Sequence, residues 1–285
     1  MQKHAILKGL RPAPQRHGWR TAFDALFYVV AAVAALAFGI YLLSYQNILF
    51  LYFPAFLQGM LVTLVVSLIS TVFACLIGLL GAFGALSSFR PVRWLTVTYV
   101  EVVRGTPFLV QLLLWYYGFG LALANLGFHP DRIAFDIMTV LQNNSLVPDS
   151  FNSYFYGIMA LSFHYGAYLT EVFRAGIRAV PSGQTEAALS LGLDARQTMR
   201  HIVLPQAIKL VIPPLANNFI GLVQDSSLLS AVSVLELEHI TLALGAPQTD
   251  ANAKLFVFIF GALFYLIICY PLSLLTRRME AKQHH

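Results

Sequence analysis

The sequence predicts an all-α polytopic membrane protein with about six transmembrane helices. Three observations carry this. Of 285 residues, 58% are hydrophobic and only 11% are charged, whereas an average soluble domain is about 25% charged. The apolar residues gather into runs of the length a bilayer demands, about 20 residues each. Lys and Arg then fall almost entirely on one side of the resulting topology.

The runs cover roughly 23–43, 56–86, 106–126, 154–174, 208–230 and 255–275. A basic leader (1–22) precedes the first, and no small-residue cleavage site follows that run, so a secretory signal is not expected. The second run exceeds one crossing and is expected to tilt or break, with Gly78, Gly81 and Gly84 near its end. Segment 91–104 is too charged for core membrane. It reads as an interfacial piece leading to Gly105-Thr106-Pro107, where Pro107 opens the third helix because a missing N–H costs nothing there. The stretch 127–153 is the longest outer connection. His129-Pro130-Asp131 and Asn143-Asn144-Ser145 read as turns, with a short amphipathic piece between them. Cys75 and Cys269 both lie in apolar runs and read as buried thiols.

Six crossings place Lys3, Lys8, Arg11, Arg16 and Arg20 on the same side as Arg90, Arg93 and Arg104. Arg174, Arg178, Arg196, Arg200 and Lys209 join them, as do Arg277, Arg278 and Lys282. The opposite side keeps Arg132 and Lys254 among six carboxylates. The positive side is the cytoplasm, so both termini, including the tail 277–285, are expected there. An odd number of spans would scatter these charges.

The cytoplasmic connection between spans four and five contains "EAALSLGLDARQTMRHIVLPQA", Glu186 to Ala207. Ser182 is the expected N-cap of a first helix, with Glu186 placed to suit its dipole. Ala187, Ala188 and Leu191 give that helix a small apolar face. Gly192 ends it, since glycine enters the left-handed region without steric cost. Asp194 caps a second helix with Gln197 as its capping-box partner. Ala195, Met199, Ile202 and Val203 form an apolar stripe there, and Arg196 and Arg200 share another face. Pro205 either closes the unit or leads it into span five. Two capped helices with apolar stripes must bury those stripes on something, which argues against a merely solvated loop. The same letters look like a DNA-binding helix-turn-helix. That fold needs a third helix, and membrane spans begin too soon on either side to leave room for one. A docking element for a cytoplasmic protein remains.

This segment resembles the signature loop of the membrane permease subunits of ABC importers. Their pattern is E-A-A, three residues, G, nine residues, I-x-L-P. It is matched here by Glu186-Ala187-Ala188, Gly192, Ile202 and Leu204-Pro205. The words "VRGTPFLVQLLLWYYG" (103–118), "YLTEVFRAGIRAVPSGQTEAA" (168–188), "LPQAIKLVIPPLANNFIGL" (204–222) and "DSSLLSAVSVLEL" (225–237) resemble the polar amino acid branch. The resemblance implies a type I importer permease domain over 56–276 with a coupling loop at 181–205. Span 23–43 is then an addition to the shorter relatives. It further implies two ATPase subunits that carry ATP and Mg2+, a second permease copy or a homologous permease, and an extracytoplasmic solute-binding protein. The location would be a bacterial inner membrane, with no nucleic acid partner. Glu186, Ala187, Ala188, Gly192, Arg196 and Arg200 would form the ATPase-coupling surface. The chain has no G-x-x-x-x-G-K-[ST] phosphate loop of its own, so it is not expected to be an enzyme.

Polar residues inside spans point to a pathway, because they are costly in lipid and face a cavity or a partner. Span four places Gly157, His164, Tyr168 and Glu171 at helical spacing. Span five does the same with Asn218, Gly221 and Asp225, with Asn217 and Gln224 alongside. Span two offers Gly59, Thr63, Ser67 and Ser70, a set whose first reading is helix packing, although Thr63 and Ser67 are also pathway candidates. Glu171 and Asp225 are expected to help bind the amino group of an amino acid. Glu171 has Arg174 three residues on, so a structural ion pair competes with that role. Depth counting puts the two carboxylates far apart unless span five breaks at Pro213-Pro214. A secondary transporter would show paired broken helices, a channel a filter or charge ring, and a membrane enzyme converging ligands. None of these is visible. A permease for another small polar solute is the alternative within the same family.

Overall fold

The structure is a computed structural model in which residues 17–133 and 151–281 are described. Asn143-Asn144-Ser145 and the amphipathic piece expected beside them lie outside the described residues, as do the basic residues before His17 and Lys282. The described chain is helical, without strands. It divides near Phe50 into two units.

The first unit holds α1 (His17–Ser44), 28 residues long, and the start of α2 (Gln46–Leu86). At about 1.5 Å rise per residue, α1 is long enough to cross a bilayer. α2 is a single helix of 41 residues that contains Pro54. Of the tilt or break anticipated in this run, the break does not occur.

The second unit contains the packed bundle. α2 buries Gly59, Thr63, Ser67, Ser70, Ala74, Gly78 and Ala82 along one face. It exposes Leu61, Val65, Leu68, Val72 and Phe83 on the other. Small and hydroxyl residues face protein and bulky apolar ones face outward, as expected when lipid is the solvent and close approach drives packing.

α3 (Arg90–Arg104) follows, anchored by the Tyr99 hydroxyl, which donates to the Phe163 carbonyl at 2.5 Å. Pro107 then starts α4 (Phe108–Leu113), which passes through a π turn (Leu114–Phe119) into α5 (Gly120–Asn125). Pro130 begins a helical stretch through Ile133. His129-Pro130-Asp131 is therefore a helix start, where the fixed φ of proline is suited, and not the expected turn.

α6 (Phe151–Arg178) is the hub of the bundle and packs against α3, α4 and α9. The core around it joins Phe108, Leu112, Leu161, Leu169, Leu222 and Leu229. Five helical stretches are long and apolar enough to cross a membrane. α6 has the length but carries His164, Glu171 and Arg174, so its surroundings must be protein or water.

α7 (Ser182–Ser190), α8 (Ala195–Thr198), a π turn (Met199–Val203) and α9 (Leu204–Asp225) come next. α9 runs unbroken through Pro213 and Pro214, so the local break that would have let Glu171 and Asp225 share a pocket is absent. Ser226–Val232 continue α9 as a 3-10 helix, so the stretch fit to cross a membrane runs to Val232.

Ser233, with φ of 64°, turns the chain back into α10 (Leu237–Gly245) and then α11 (Ala251–Ala281). This return is held by three helices. Leu235 N–H donates to the Tyr154 hydroxyl and Leu237 N–H to Thr63 Oγ1. Glu236, fully buried, accepts from the Glu238 and His239 N–H groups and from the Tyr265 hydroxyl. It caps α10 and ties it to α11.

Glu236→Gln must present its amide nitrogen to at least one of these three donors. An orphaned buried donor costs about 1–3 kcal/mol. The melting temperature of the purified protein should fall by at least about 3 °C; an unchanged value would show that the carboxylate is not a fixed cap.

Candidate functional site

A cavity of about 340 Å3 lies between α6 and α9, lined by His164, Tyr165, Tyr168, Asn217, Asn218, Gly221 and Asp225. The helical spacing anticipated from the sequence brings six of these seven together. Tyr165 is the addition, and it makes the central contact. Its hydroxyl donates to Asp225 Oδ2 at 2.9 Å. A side chain on Gly221 would place its Cβ 2.9 Å from that hydroxyl, closer than real Cβ contacts, so glycine is what lets the Tyr165 hydroxyl reach Asp225.

His164, only 6% exposed, is held from behind. Its Nδ1 lies 3.0 Å from Gln111 Oε1. Gln111 Nε2 donates to the carbonyls of Val103 and Thr106 and to Thr106 Oγ1. Gln111 therefore ties α4 to the end of α3 and presents only its oxygen to His164. The Arg104 guanidinium sits over the Tyr168 ring, 5.3 Å from its centroid, a cation–π contact. The sequence reading counted Arg104 only as a topology charge and gave Gln111 no role. A glutamine inside an apolar run was the available signal, since it must find partners.

Glu171 is not in this cavity. It lies in a second one, of about 550 Å3, with Arg104, Ala175, Gly176, Leu210 and Pro214. Both Nε and Nη2 of Arg174 bond its carboxylate, so the competing ion pair is what forms. With α9 unbroken, nothing brings Glu171 to Asp225. Thr63 and Ser67 do not line either cavity. Thr63 is fully buried and its hydroxyl is taken by Leu237 N–H. Ser67 is fully buried in the packed face of α2, and its hydroxyl has no partner among the described residues. Among the described residues no group of His, Cys, Asp and Glu suits a metal ion.

The loop between α6 and α9 is built as two capped turns. α7 begins at Ser182, and its N-cap position is Pro181, whose φ of −56° and ψ of 134° set the entry. Ser182 is thus the first helical residue and not the cap. At the other end Leu193 N–H bonds the Ala188 carbonyl and Gly192 N–H the Leu189 carbonyl. This is a Schellman closure, with Gly192 at φ +88°. Asp194 then caps α8. Its Oδ1 accepts from Gln197 N–H at 2.8 Å, and Gln197 Oε1 accepts from Asp194 N–H at 2.9 Å. Pro205 lies inside the passage from α8 to α9. The loop's second helix is therefore the beginning of span five. Val180, Val203 and Ala207 bury against one another at its base. Glu186, Ala187, Gly192, Arg196 and Arg200 are exposed, while Ala188 is buried. Leu191 is 84% and Leu189 48% exposed, so part of the apolar face remains uncovered.

The model of the family described as "Binding-protein-dependent transport system inner membrane component" matches residues 76–285. The chain belongs to this family. The match takes in both cavities and the loop, so these are features of the permease domain itself. This permease is similar to the L-cystine transport system permease protein TcyB of Bacillus subtilis, at 34% identity over 81% of this chain and 87% of that protein. It is 36% identical to the probable glutamine ABC transporter permease protein GlnM of the same organism, over 83% and 96% of the two chains. Its fold resembles that in the crystal structure of an amino acid ABC transporter with histidines. There the TM-score is 0.66 and the identity 31%, over 81% of this chain and 95% of the other.

The capping box of the permease loop is testable by itself. Asp194→Ala removes one cap, a loss of about 1 kcal/mol. Hydrogen exchange at the Gln197 and Thr198 amides should then quicken about fivefold, and unchanged exchange would contradict the pairing described.

Proposed function

We propose that this chain carries polar amino acids inward through the membrane by alternating access as the permease subunit of an ABC importer, with the Asp225 cavity as the binding point that faces each side in turn. The observation that carries the reading is the position of the loop. It is inserted between α6 and α9, the two helices that wall the cavity, and α8 continues into α9 without a flexible joint. A partner that moves the loop moves both walls. In this reading the domain 56–276 is the transport unit, 23–43 is an added helix, and 181–205 is the coupling loop. Glu186, Ala187, Gly192, Arg196 and Arg200 meet the ATPase, and Ala188 holds the loop's own packing. ATP and Mg2+ act on two ATPase subunits. The complex includes a second permease, the same or homologous, and an extracytoplasmic solute-binding protein. The membrane is a bacterial inner membrane with both termini cytoplasmic.

Asp225 takes the α-ammonium group, assisted by Asn218, because a carboxylate in a span needs a cation or water. Glu171 lines the second cavity, on the loop side of Tyr168, with its carboxylate held by Arg174, and takes no part in binding. Asp225→Asn should lower uptake by reconstituted complex at least tenfold with assembly intact, whereas Glu171→Gln should leave binding affinity within about twofold. Normal uptake by the Asp225 variant would rule out the cavity as the binding point.

The coupling claim has a separate test. A Cβ at Gly192 meets nothing within 4 Å in the chain itself. Gly192→Ala therefore costs only backbone strain, about 1–2 kcal/mol, while Gly192→Trp adds bulk that only a docked partner would feel. Substrate-stimulated ATPase activity should survive the alanine and fall at least tenfold with tryptophan, without loss of membrane insertion. Equal activity in both variants would contradict a docked Gly192.

A further inference from the structure

The pairing of Gln111 with His164 fixes more than a position. Val103 and Thr106 carbonyls can only accept, and both take hydrogens from Gln111 Nε2, at 2.7 and 3.0 Å. Flipping the amide would set its oxygen, which only accepts, against these two carbonyl oxygens. Its oxygen is therefore the atom 3.0 Å from His164 Nδ1. An amide oxygen only accepts, so Nδ1 carries the hydrogen. In the neutral ring the other nitrogen, Nε2, is then a bare acceptor, and His164 lines the same cavity as Asp225. The Tyr165 hydroxyl hydrogen is spent on Asp225. Asn218 Nδ2 is directed to the Pro214 carbonyl and Asn217 Nδ2 to Glu280, which leaves both amide oxygens as acceptors. The lining carries one carboxylate and, among the described residues, no Lys or Arg. The Arg104 guanidinium lies over the Tyr168 ring and opens on the other cavity.

We propose that His164, locked by Gln111 as the Nδ1–H tautomer, sets the ligand class of this cavity. Its bare Nε2 and the Asp225 carboxylate accept hydrogen bonds from an ammonium group or a donor-bearing side chain. Neutral amides and cationic amino acids are admitted, and acidic amino acids are excluded, because a second carboxylate would meet a lone pair and a like charge. Gln111 is the positioning residue and His164 the specificity residue. This deepens the pathway reading above and rests on it.

The test uses the assembled permease–ATPase complex in nanodiscs without its binding protein, so that only the permease discriminates. Binding of radiolabelled L-glutamine, L-arginine and L-glutamate is measured by scintillation proximity. The wild type should bind glutamate at least tenfold more weakly than the better of the other two. His164→Lys, which replaces the acceptor by a cation, should shift the ratio toward glutamate at least tenfold. His164→Gln, which keeps an acceptor within reach, should retain the wild-type order. If the lysine variant does not assemble, His164→Leu should narrow the ratio without reversing it. A glutamate ratio that no His164 variant moves, or glutamate bound as well as the others by the wild type, overturns the inference alone. Unchanged binding of all three probes by Asp225→Asn overturns the pathway reading instead, and no binding of any probe by the wild type overturns both.

Discussion

The hydrogen bond from Tyr165 to Asp225 is the contact on which the rest of the bundle depends. A carboxylate at the end of a membrane-spanning helix must be solvated by protein or water, since a charged side chain at the bilayer centre costs about 3 kcal/mol even on the lenient insertion scale. Here the solvating group comes from α6, and it arrives over Gly221, the residue one turn before Asp225 on the same helix. That requirement fixes the facing of α6 and α9. It also explains why α6 can be the most polar of the spans and still be the hub. Its polar face is turned to α9 and to Gln111, while its apolar face joins the core around Leu161 and Leu169.

The same two helices are joined by the loop, and this is how a charge problem becomes a device. α7 and α8 are each closed by backbone-directed contacts, the Schellman turn at Gly192 and the capping box at Asp194. Neither needs a partner to be ordered. The unit is thus preformed, with an apolar tip at Leu189 and Leu191 left uncovered. Preforming the loop lowers the ordering cost of docking. The unbroken passage from α8 into α9, despite Pro205, Pro213 and Pro214, makes the joint stiff.

Most of the architecture was legible because membrane sequences state it in composition. Runs of apolar residues marked out the long helices that the structure shows. Local signals with a defined geometry were also readable: Gly192 in the left-handed region and Asp194 with Gln197 both formed as expected. What failed did so where tertiary context decides. Glu171 and Asp225 were grouped by charge, but a carboxylate three residues from Arg174 satisfies itself locally. The prolines of span five left room for a break, but α9, packed against α6 and α11, stays helical through them. Thr63, read first as a packing residue and only second as a pathway hydroxyl, is packed and satisfies a backbone N–H in the returning segment after Ser233. That need could be seen only once residues far apart in sequence met. Tyr165 was passed over because an aromatic in an apolar run gives no hint that its hydroxyl has a partner sixty residues on.

The central claim is that the Asp225 cavity faces each side of the membrane in turn. It is tested most directly by accessibility. Asn218→Cys, in a background without Cys75 and Cys269, is placed in liposomes with the ATPase bound and exposed to a membrane-impermeant maleimide from either side. The account predicts labelling from one side without nucleotide and from the opposite side when hydrolysis is arrested with vanadate. Labelling from the same side in both states would contradict it.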